Sequence, residues 1–167
     1  MSKDINKAYL LTGGNIGDAA EQLAIARRLI GEQCGNISNT SSLYETAAWG
    51  NTDQPAFLNQ ALLLETTMNA RQLIRHLLKI EKQMGRVRKE KYGPRIIDID
   101  MLLFNTEKHN YHFLKIPHPE LHNRRFALLP LAEIAAEVIH PIFNKTIAEL
   151  LEECKDMLEV VRIEITD

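Results

Sequence analysis

The strongest constraint on the fold is the order in which strand and helix patterns alternate along the chain. One helix pattern follows Asp18 and a second follows Asn69. Strand patterns lie before, between and after them, at 8–11, 37–46, 57–67 and 96–104. This β-α-β-β-α-β order predicts an α+β fold, a ferredoxin-like sandwich with a mostly antiparallel sheet.

Local signals set the ends of the two helices. Asp18 can cap the first helix, which we expect to end at about residue 30, before Gly31 and Gly35. Asn69, with a glutamine three residues later, forms a capping-box pattern, and Gly85 can end the second helix.

Further elements are expected after the core pattern. A strand is expected at 111–116, followed by a helix at 124–137 that Pro130 interrupts or restarts. A capping box of Thr146 and Glu149 opens another helix, to about residue 156, and a last strand is expected at 158–165. The helices are additions to the sandwich on its C-terminal side.

Length and composition exclude several classes of protein. The 167 residues are expected to form one domain, 1–167. With 45% hydrophobic residues, no run of eighteen apolar residues and a polar N-terminus, we expect a cytoplasmic protein with no membrane contact. The two cysteines are expected to be reduced thiols.

The charge is unevenly distributed. The chain carries a net charge of −2, yet residues 71–95 hold nine Lys or Arg and only two Glu. A nucleic-acid-binding protein is more often basic overall, whereas a local basic segment suits a compact polyanion such as a nucleoside triphosphate. On the helix part of this segment, a solvated helix face is the preferred interpretation.

Two aspartates interrupt the apolar pattern at 96–104. Asp98 and Asp100 are two residues apart, so on a strand they share a face, with Cα atoms roughly 6.6 Å apart. Such a pair can bind one or two hard cations. The alternative is an exposed, charged strand face. Carboxylates in an apolar run are unfavourable unless compensated, which favours a site. The opposite face is expected to point into a core through Ile97, Ile99 and Met101, and Leu103 continues the same alternation.

A basic, glycine-bounded loop at 86–95 leads directly into this strand, and arginine grips phosphate oxygens while staying charged. Mg²⁺ beside phosphate-binding arginines is typical of phosphoryl transfer.

Four residues could line a pocket for a flat ring: Trp49, Phe57, Asn59 and Phe126. Core packing is the alternative for all four, and on the sequence pattern alone it is the preferred interpretation of the two phenylalanines. The glycines at 13–17 lack phosphate-loop spacing and are assigned to turn geometry.

The run KYGPRIIDIDML at 91–102 resembles the signature of the 6-hydroxymethyl-7,8-dihydropterin pyrophosphokinase family. Further matches lie at 13–17, 44–46, 53–55, 57–59, Glu81, 85–88, 117–118, 123–124 and Phe126. The resemblance extends to about residue 151, and 152–167 has no counterpart in it. Tyr92, Ala47 and Ala48, Gly14 and Pro119 depart from the family pattern without removing a metal ligand or phosphate arginine.

The resemblance implies an enzyme that transfers the pyrophosphoryl group of ATP to the hydroxymethyl group of the pterin, releasing AMP, in folate biosynthesis. It implies a ferredoxin-like fold, ATP as co-substrate and two Mg²⁺ ions. We expect a monomer whose partners are these small molecules, with no nucleic acid and no membrane. The basic loop is expected to close over ATP.

Residue roles carry over by position. Catalytic roles fall on Arg86, Arg95, Asp98 and Asp100, of which Asp98 and Asp100 hold the metal. ATP contacts fall on Glu81, Arg86, Arg88, Arg95, His118 and Arg124. Pterin contacts fall on Thr46, Trp49, Phe57, Asn59, Asp98 and Phe126.

Two rival functions share parts of the pattern. A two-metal nuclease or phosphatase has the aspartate pair but predicts a broad basic groove, which the acidic remainder of the chain opposes. A ligand-binding regulatory module of ferredoxin-like fold needs no aspartate pair beside an arginine loop.

Overall fold

The computed structural model describes residues 4–47, 55–85 and 96–163. Its first half contains β1 Asn6–Gly14, α1 Ala19–Gln33, β2 Asn36–Thr40, β3 Leu43–Thr46, β4 Phe57–Thr66 and α2 Ala70–Gln83. Its second half contains β5 Asp98–Phe104, β6 His109–Tyr111, β7 Leu114–Ile116, a 3-10 turn Leu121–Asn123, α3 Arg125–Ala135, α4 Ile147–Glu153 and β8 Val160–Ile163.

The main sheet has the strand order β5-β1-β4-β3-β8, and β2 also pairs with β4. Each of these pairings is antiparallel. The two strands that precede the crossover helices, β1 and β4, therefore lie side by side at the centre. This order confirms the ferredoxin-like α+β sandwich with helices added on the C-terminal side.

Helices cover both faces of the sheet. One core lies under α1 and α2, where Leu23, Leu73 and Leu77 pack with Leu10 and Leu62 of the sheet. The second core lies under α3 and α4 and contains Leu11, Leu103, Leu128, Leu131 and Ile147. Alternate residues of β1 thus belong to opposite cores, as the period of a strand requires.

The helix ends follow the predicted local signals. Asp18 accepts a 3.1 Å hydrogen bond from the Glu21 amide, and Asn69 and Gln72 exchange the two bonds of a capping box at 2.9 Å. Thr146 and Glu149 form the same box on α4. Gly85 follows α2 with a φ of +84°, the left-handed conformation in which glycine is least strained.

Several predicted bounds were wrong. Gly31 lies inside α1, which continues to Gln33. Gly35 separates α1 from β2, and at its φ of +155° a Cβ would overlap with the Glu65 carbonyl. The predicted strand 37–46 is two strands, because the Ser41 hydroxyl accepts the Ala61 amide at 2.9 Å and interrupts the backbone ladder.

The later elements also differ in extent. The predicted strand 111–116 is the hairpin of β6 and β7, and β5 begins at Asp98 rather than at residue 96. The helix α4 ends at Glu153, and α3 runs through Pro130 without interruption. Because proline has no N–H, the Phe126 carbonyl receives no helical hydrogen bond from residue 130.

A bulge in β5 changes which core the end of this strand faces, contrary to the predicted alternation. Tyr9 pairs with Leu103 and Leu10 pairs with Met101, so one extra residue lies between them on β5. Ile97, Ile99 and Met101 pack under α1 and α2 as predicted, but Leu103 packs in the other core. The bulge switches the alternation after the two aspartates and leaves their shared face intact.

The loop expected at 47–55 is described only at its ends. Trp49 and the basic loop 86–95, with Arg86, Arg88 and Arg95, lie outside the described residues. Within the described ranges, no helix is both long and apolar enough to cross a membrane.

Candidate active site

A row of four residues crosses the sheet. Asp98 of β5 lies opposite Gly13 of β1, Gly13 lies opposite Asn59 of β4, and Asn59 lies opposite Tyr44 of β3. Residues directly opposite one another point to the same face, and neighbouring strands are about 4.8 Å apart. The row therefore spans about 14 Å on one face of the sheet.

This face is the one that α3 and α4 cover. Leu11, two residues before Gly13 on the same strand, packs in the α3 and α4 core. The Tyr44 hydroxyl donates a 2.5 Å hydrogen bond to Glu133 of α3. Burial, together with this bond to the Glu133 carboxylate, raises the pKa of Tyr44 to about 12. The phenol stays protonated at neutral pH and fixes α3 to β3.

The two aspartates lie half-buried at the sheet edge. Asp98 and Asp100 share the face of the row, as the sequence predicts, and Ile99 between them points into the opposite core. Glu81 of α2 is buried, and its Oε2 accepts a 2.7 Å hydrogen bond from the Ile99 amide. Glu81 thus holds the backbone between the two carboxylates.

The donor set around the aspartates suits a hard cation. Two carboxylates on adjacent same-face positions supply the oxygen ligands that Mg²⁺ prefers, and such sites are completed by water and phosphate oxygens. Among the residues that the structure describes, no cluster of three or more His, Cys, Asp or Glu forms a fuller metal cage. The residues fit Mg²⁺ bound together with a phosphorylated substrate.

Strand β3 brings a hydroxyl without a hydrogen-bond partner in the described ranges to the same face of the sheet. Thr46 lies opposite Phe57 and two residues beyond Tyr44, so both Thr46 and Phe57 extend the same face. Thr46 is buried, and its Oγ1 has no hydrogen-bond partner within the described ranges. Buried polar groups are nearly always paired in native proteins. A ligand group could therefore pair with this hydroxyl.

Asn59 is buried, and in the row across the sheet it lies between Tyr44 and Asp98. A Cβ at position 13 would overlap with the Asn59 Oδ1, so only glycine leaves room for the amide above β1. Gly13 thus has a packing role in place of the turn role that the sequence predicts. Asn15, also buried, donates a 3.0 Å hydrogen bond from its Nδ2 to the Pro55 carbonyl and ties β1 to the start of β4.

Three further predicted residues, His118, Arg124 and Phe126, lie between the end of β7 and the first turn of α3. The His118 amide donates to the Leu102 carbonyl at 2.9 Å, and His118 Nδ1 accepts the Glu120 amide at 3.1 Å. Burial lowers the pKa of His118; Asp100 opposes this shift and Arg124 adds to it. His118 is therefore neutral at pH 7, with its proton on Nε2. The Arg124 guanidinium lies 5.7 Å from the centroid of the Phe126 ring.

The structure thus gathers part of the predicted set. One face of the sheet carries Thr46, Phe57, Asn59, Asp98 and Asp100. His118 lies within electrostatic range of both Asp100 and Arg124, and Phe126 is half-buried at the start of α3. Glu81 reaches β5 from the α2 layer. Sequence reasoning missed the packing of Gly13 against Asn59 and the bond of Tyr44 to Glu133, for which no local pattern exists.

Residues 9–136 match the model of the 7,8-dihydro-6-hydroxymethylpterin-pyrophosphokinase family. The chain belongs to this family. It is 40% identical over 145 residues to the 2-amino-4-hydroxy-6-hydroxymethyldihydropteridine pyrophosphokinase of Aquifex aeolicus, covering 87% of this chain and 90% of that one. The Bacillus subtilis pyrophosphokinase is 40% identical over 134 residues, 80% of each chain.

Solved structures match the fold. The HPPK-DHPS protein of Plasmodium falciparum, crystallised with pterin and p-hydroxybenzoate, matches with a TM-score of 0.73 at 20% identity. The match covers 91% of this chain and 44% of that one. The pyrophosphokinase chain therefore spans less than half of the Plasmodium protein, and the likeness shows a shared fold.

Proposed function

We propose that the protein transfers the pyrophosphoryl group of ATP to 6-hydroxymethyl-7,8-dihydropterin, giving AMP and the pterin diphosphate for folate biosynthesis. As a member of a pyrophosphokinase family, it is an enzyme of the diphosphotransferase class with ATP as co-substrate. We propose that residues 1–167 form one catalytic domain, with 152–167 as an extension of it.

The observation that carries the pterin site is the buried, unpartnered Thr46 hydroxyl opposite Phe57. A pterin is a flat ring with hydrogen-bonding groups along one edge. Thr46 and Asn59 would bind that edge, and Phe57 and Phe126 would stack on the ring, since offset stacking is favourable between aromatic rings. Trp49 belongs to the proposed site by its sequence position. Asp98, on the same row as Asn59, would lie toward the hydroxymethyl group.

The proposed metal ligands are Asp98 and Asp100, and we propose that they hold two Mg²⁺ ions. Bound Mg²⁺ offsets phosphate charge and lowers the pKa of the substrate hydroxyl. Glu81 keeps the two carboxylates on one face by accepting the Ile99 amide. The chain's contribution here is a fixed spacing of the carboxylates at the edge of the sheet.

The proposed ATP site comprises Glu81, Arg86, Arg88, Arg95, His118 and Arg124. Neutral His118 can donate a hydrogen bond from Nε2 to a phosphate oxygen, since its Nδ1 already accepts the Glu120 amide. Arg86 and Arg95 would stabilise the charge that develops on the departing phosphate oxygen.

In the reaction, the hydroxymethyl oxygen forms a bond to the β-phosphorus. The bond from that phosphorus to the oxygen of the α-phosphate breaks, and AMP leaves with that oxygen. The hydroxyl proton leaves to solvent, and no side chain is needed as a strong general base. We propose that the enzyme is a cytoplasmic monomer whose partners are its small-molecule substrates.

The direct test is formation of AMP from ATP, followed by chromatography with each component omitted in turn. AMP should form only when the hydroxymethyldihydropterin and Mg²⁺ are both present. AMP formation without the pterin, or ADP as the product, would overturn the assignment.

A substitution in the pocket sharpens this test. Phe126→Ala should weaken pterin binding, measured by calorimetry, far more than binding of a non-hydrolysable ATP analogue, because stacking alone contributes about 0.5–1.5 kcal/mol. Phe113→Ala, which removes an exposed ring from the β6 and β7 hairpin, is the matched control and should change neither affinity. Equal weakening of both ligands by Phe126→Ala would indicate core damage instead.

A further inference from the structure

The C-terminal segment 154–163 contacts two of the elements that carry proposed pterin residues, α3 with Phe126 and β3 with Thr46. It lies beyond the family match at 9–136 and follows α4. We call it the C-terminal strap. It reaches the start of α3, beside Phe126, and the length of β3, which carries Thr46.

The first contact replaces a missing helix cap. Arg124 is the N-cap residue of α3, yet within the described part of the chain its side chain makes no capping hydrogen bond. The Arg125 amide, one of the unpaired donors of the first turn, instead donates a 3.0 Å hydrogen bond to Asp156 Oδ2. A carboxylate here also interacts favourably with the helix dipole. Asp156 therefore caps α3 from 31 residues away.

The Arg125 side chain closes the same contact from the other side. Its Nε donates to the Asp156 carbonyl and its Nη2 to the Cys154 carbonyl, each at 3.1 Å. The remaining oxygen of Asp156, Oδ1, accepts the Leu158 amide at 3.0 Å and fixes the turn of the strap. Three hydrogen bonds thus hold the residue between Arg124 and Phe126.

The second contact is a strand pairing. Strand β8 of the strap pairs antiparallel with β3, with Val160 opposite Thr46 and Arg162 opposite Tyr44. Without β8, β3 would be the edge of the sheet at this end. An edge strand exposes unpaired backbone groups and frays more readily than an interior strand.

We propose that the strap is a positioning element for the pterin pocket, setting the distance between Thr46 on β3 and Phe126 on α3. This proposal rests on the proposed function. The aspartates lie on β5, at the opposite edge of the sheet from β8. Of the proposed ATP contacts, only Arg124 is a direct neighbour in the chain of Arg125, the residue that the strap holds. Loosening the strap should therefore impair pterin binding selectively.

The test compares Asp156→Ala and Arg125→Ala with the wild type by calorimetry, using 6-hydroxymethyl-7,8-dihydropterin and a non-hydrolysable ATP analogue with Mg²⁺. Each variant should raise the pterin Kd roughly 5- to 10-fold, the usual scale for a lost helix cap, and change the ATP-analogue Kd by less than about twofold. Asp156→Asn keeps one acceptor oxygen and should restore part of the affinity.

Lys145→Ala is the matched control. This substitution removes the exposed ion pair between Lys145 and Glu153. Glu153 is the last residue before the strap, and the ion pair involves neither α3 nor β3. Its two affinities should equal those of the wild type. Hydrogen exchange of the unliganded protein gives an independent measurement: Asp156→Ala should speed exchange at the start of α3 and in β3.

The outcomes separate the two proposals. If the wild type binds the ATP analogue but no pterin, the proposed function fails and the strap's role in it fails too. If the wild type binds pterin and Asp156→Ala binds it equally well, or loses both ligands equally, only the strap proposal is overturned. Unchanged exchange in α3 and β3 also overturns it.

Discussion

The Asn59 side-chain oxygen occupies the space that a Cβ on Gly13 would fill, so any larger residue at position 13 would force the amide to move. The fit places a buried amide on the row that leads from Tyr44 to Asp98. It makes the glycine at position 13 a support for Asn59, one of the proposed pterin residues.

Replacing this glycine should move the amide. We expect Gly13→Ala to destabilise the protein by about 1–3 kcal/mol, the usual cost of overpacking, and to weaken pterin binding. Urea denaturation and calorimetry measure the two effects. Gly31→Ala is the control, because that glycine lies inside α1 with only an ordinary contact near its Cβ position. It should stabilise by about 0.5–1 kcal/mol. A Gly13→Ala protein with wild-type stability and pterin affinity would contradict the proposed role.

The aspartate pair should be needed for turnover and dispensable for folding. Asp98→Asn and Asp100→Asn should each lower Mg²⁺-dependent AMP formation by roughly a hundredfold or more, since a metal site supplies several kcal/mol of transition-state stabilisation. Both side chains are half-buried, so the melting temperature should change little. Glu32→Gln, at an exposed ion pair on α1, serves as the control. Near-normal activity in either aspartate variant would refute the metal assignment.

Glu81 should act through the backbone of β5. Glu81→Leu leaves the buried Ile99 amide without this acceptor and should cost roughly 1–3 kcal/mol, measured by urea denaturation. Glu81→Gln retains a carbonyl oxygen that can accept the same amide, so its loss of stability should be clearly smaller. Equal destabilisation by the two variants would show that the carboxylate charge, rather than this hydrogen bond, is what matters.

His140 should make stability fall in acid. Burial, with a smaller contribution from His122, lowers the pKa of His140 from 6.5 to about 4, while its Nδ1 accepts the Ile142 and Phe143 amides. The folded state therefore binds this proton less readily than the unfolded state. The stabilisation is complete well above pH 6.5 and is lost as the pH falls toward 4, at a cost of about 3 kcal/mol.

The measurement is urea denaturation at pH 7.5 and at pH 4.5. His140→Asn, whose Oδ1 can accept the same amides but does not titrate, should lose less stability between these two pH values than the wild type. His112→Asn, at an exposed position, should behave as the wild type does. The hypothesis fails if His140→Asn and the wild type lose equal stability.

Much of the fold could be predicted because its signals are local. The capping boxes at Asn69 and Thr146 each involve residues three apart, and Gly85 ends α2 through its own backbone conformation. The strand alternation placed Asp98 and Asp100 on one face. The charge pattern and the run at 91–102 indicate the chemistry without any tertiary contact.

Prediction failed where a distant residue decides the local structure. The break between β2 and β3 depends on the Ser41 hydroxyl meeting the Ala61 amide, and the bulge in β5 depends on its register with β1. Neither has a period or a turn residue that marks it in the sequence. The propensity for a continuous strand is real in both segments, but pairing with a neighbouring strand overrides it.

The sequence by itself determined the order of elements, most helix ends and the family signature at 91–102, since these depend on residues within one turn or one strand of each other. Only the tertiary structure decided that Gly13 lies beneath Asn59, that the Thr46 hydroxyl is buried without a partner in the described ranges, and that Asp156 caps α3. These contacts join residues far apart in the chain. They form only when the sheet brings its strands into register, which local propensity does not specify.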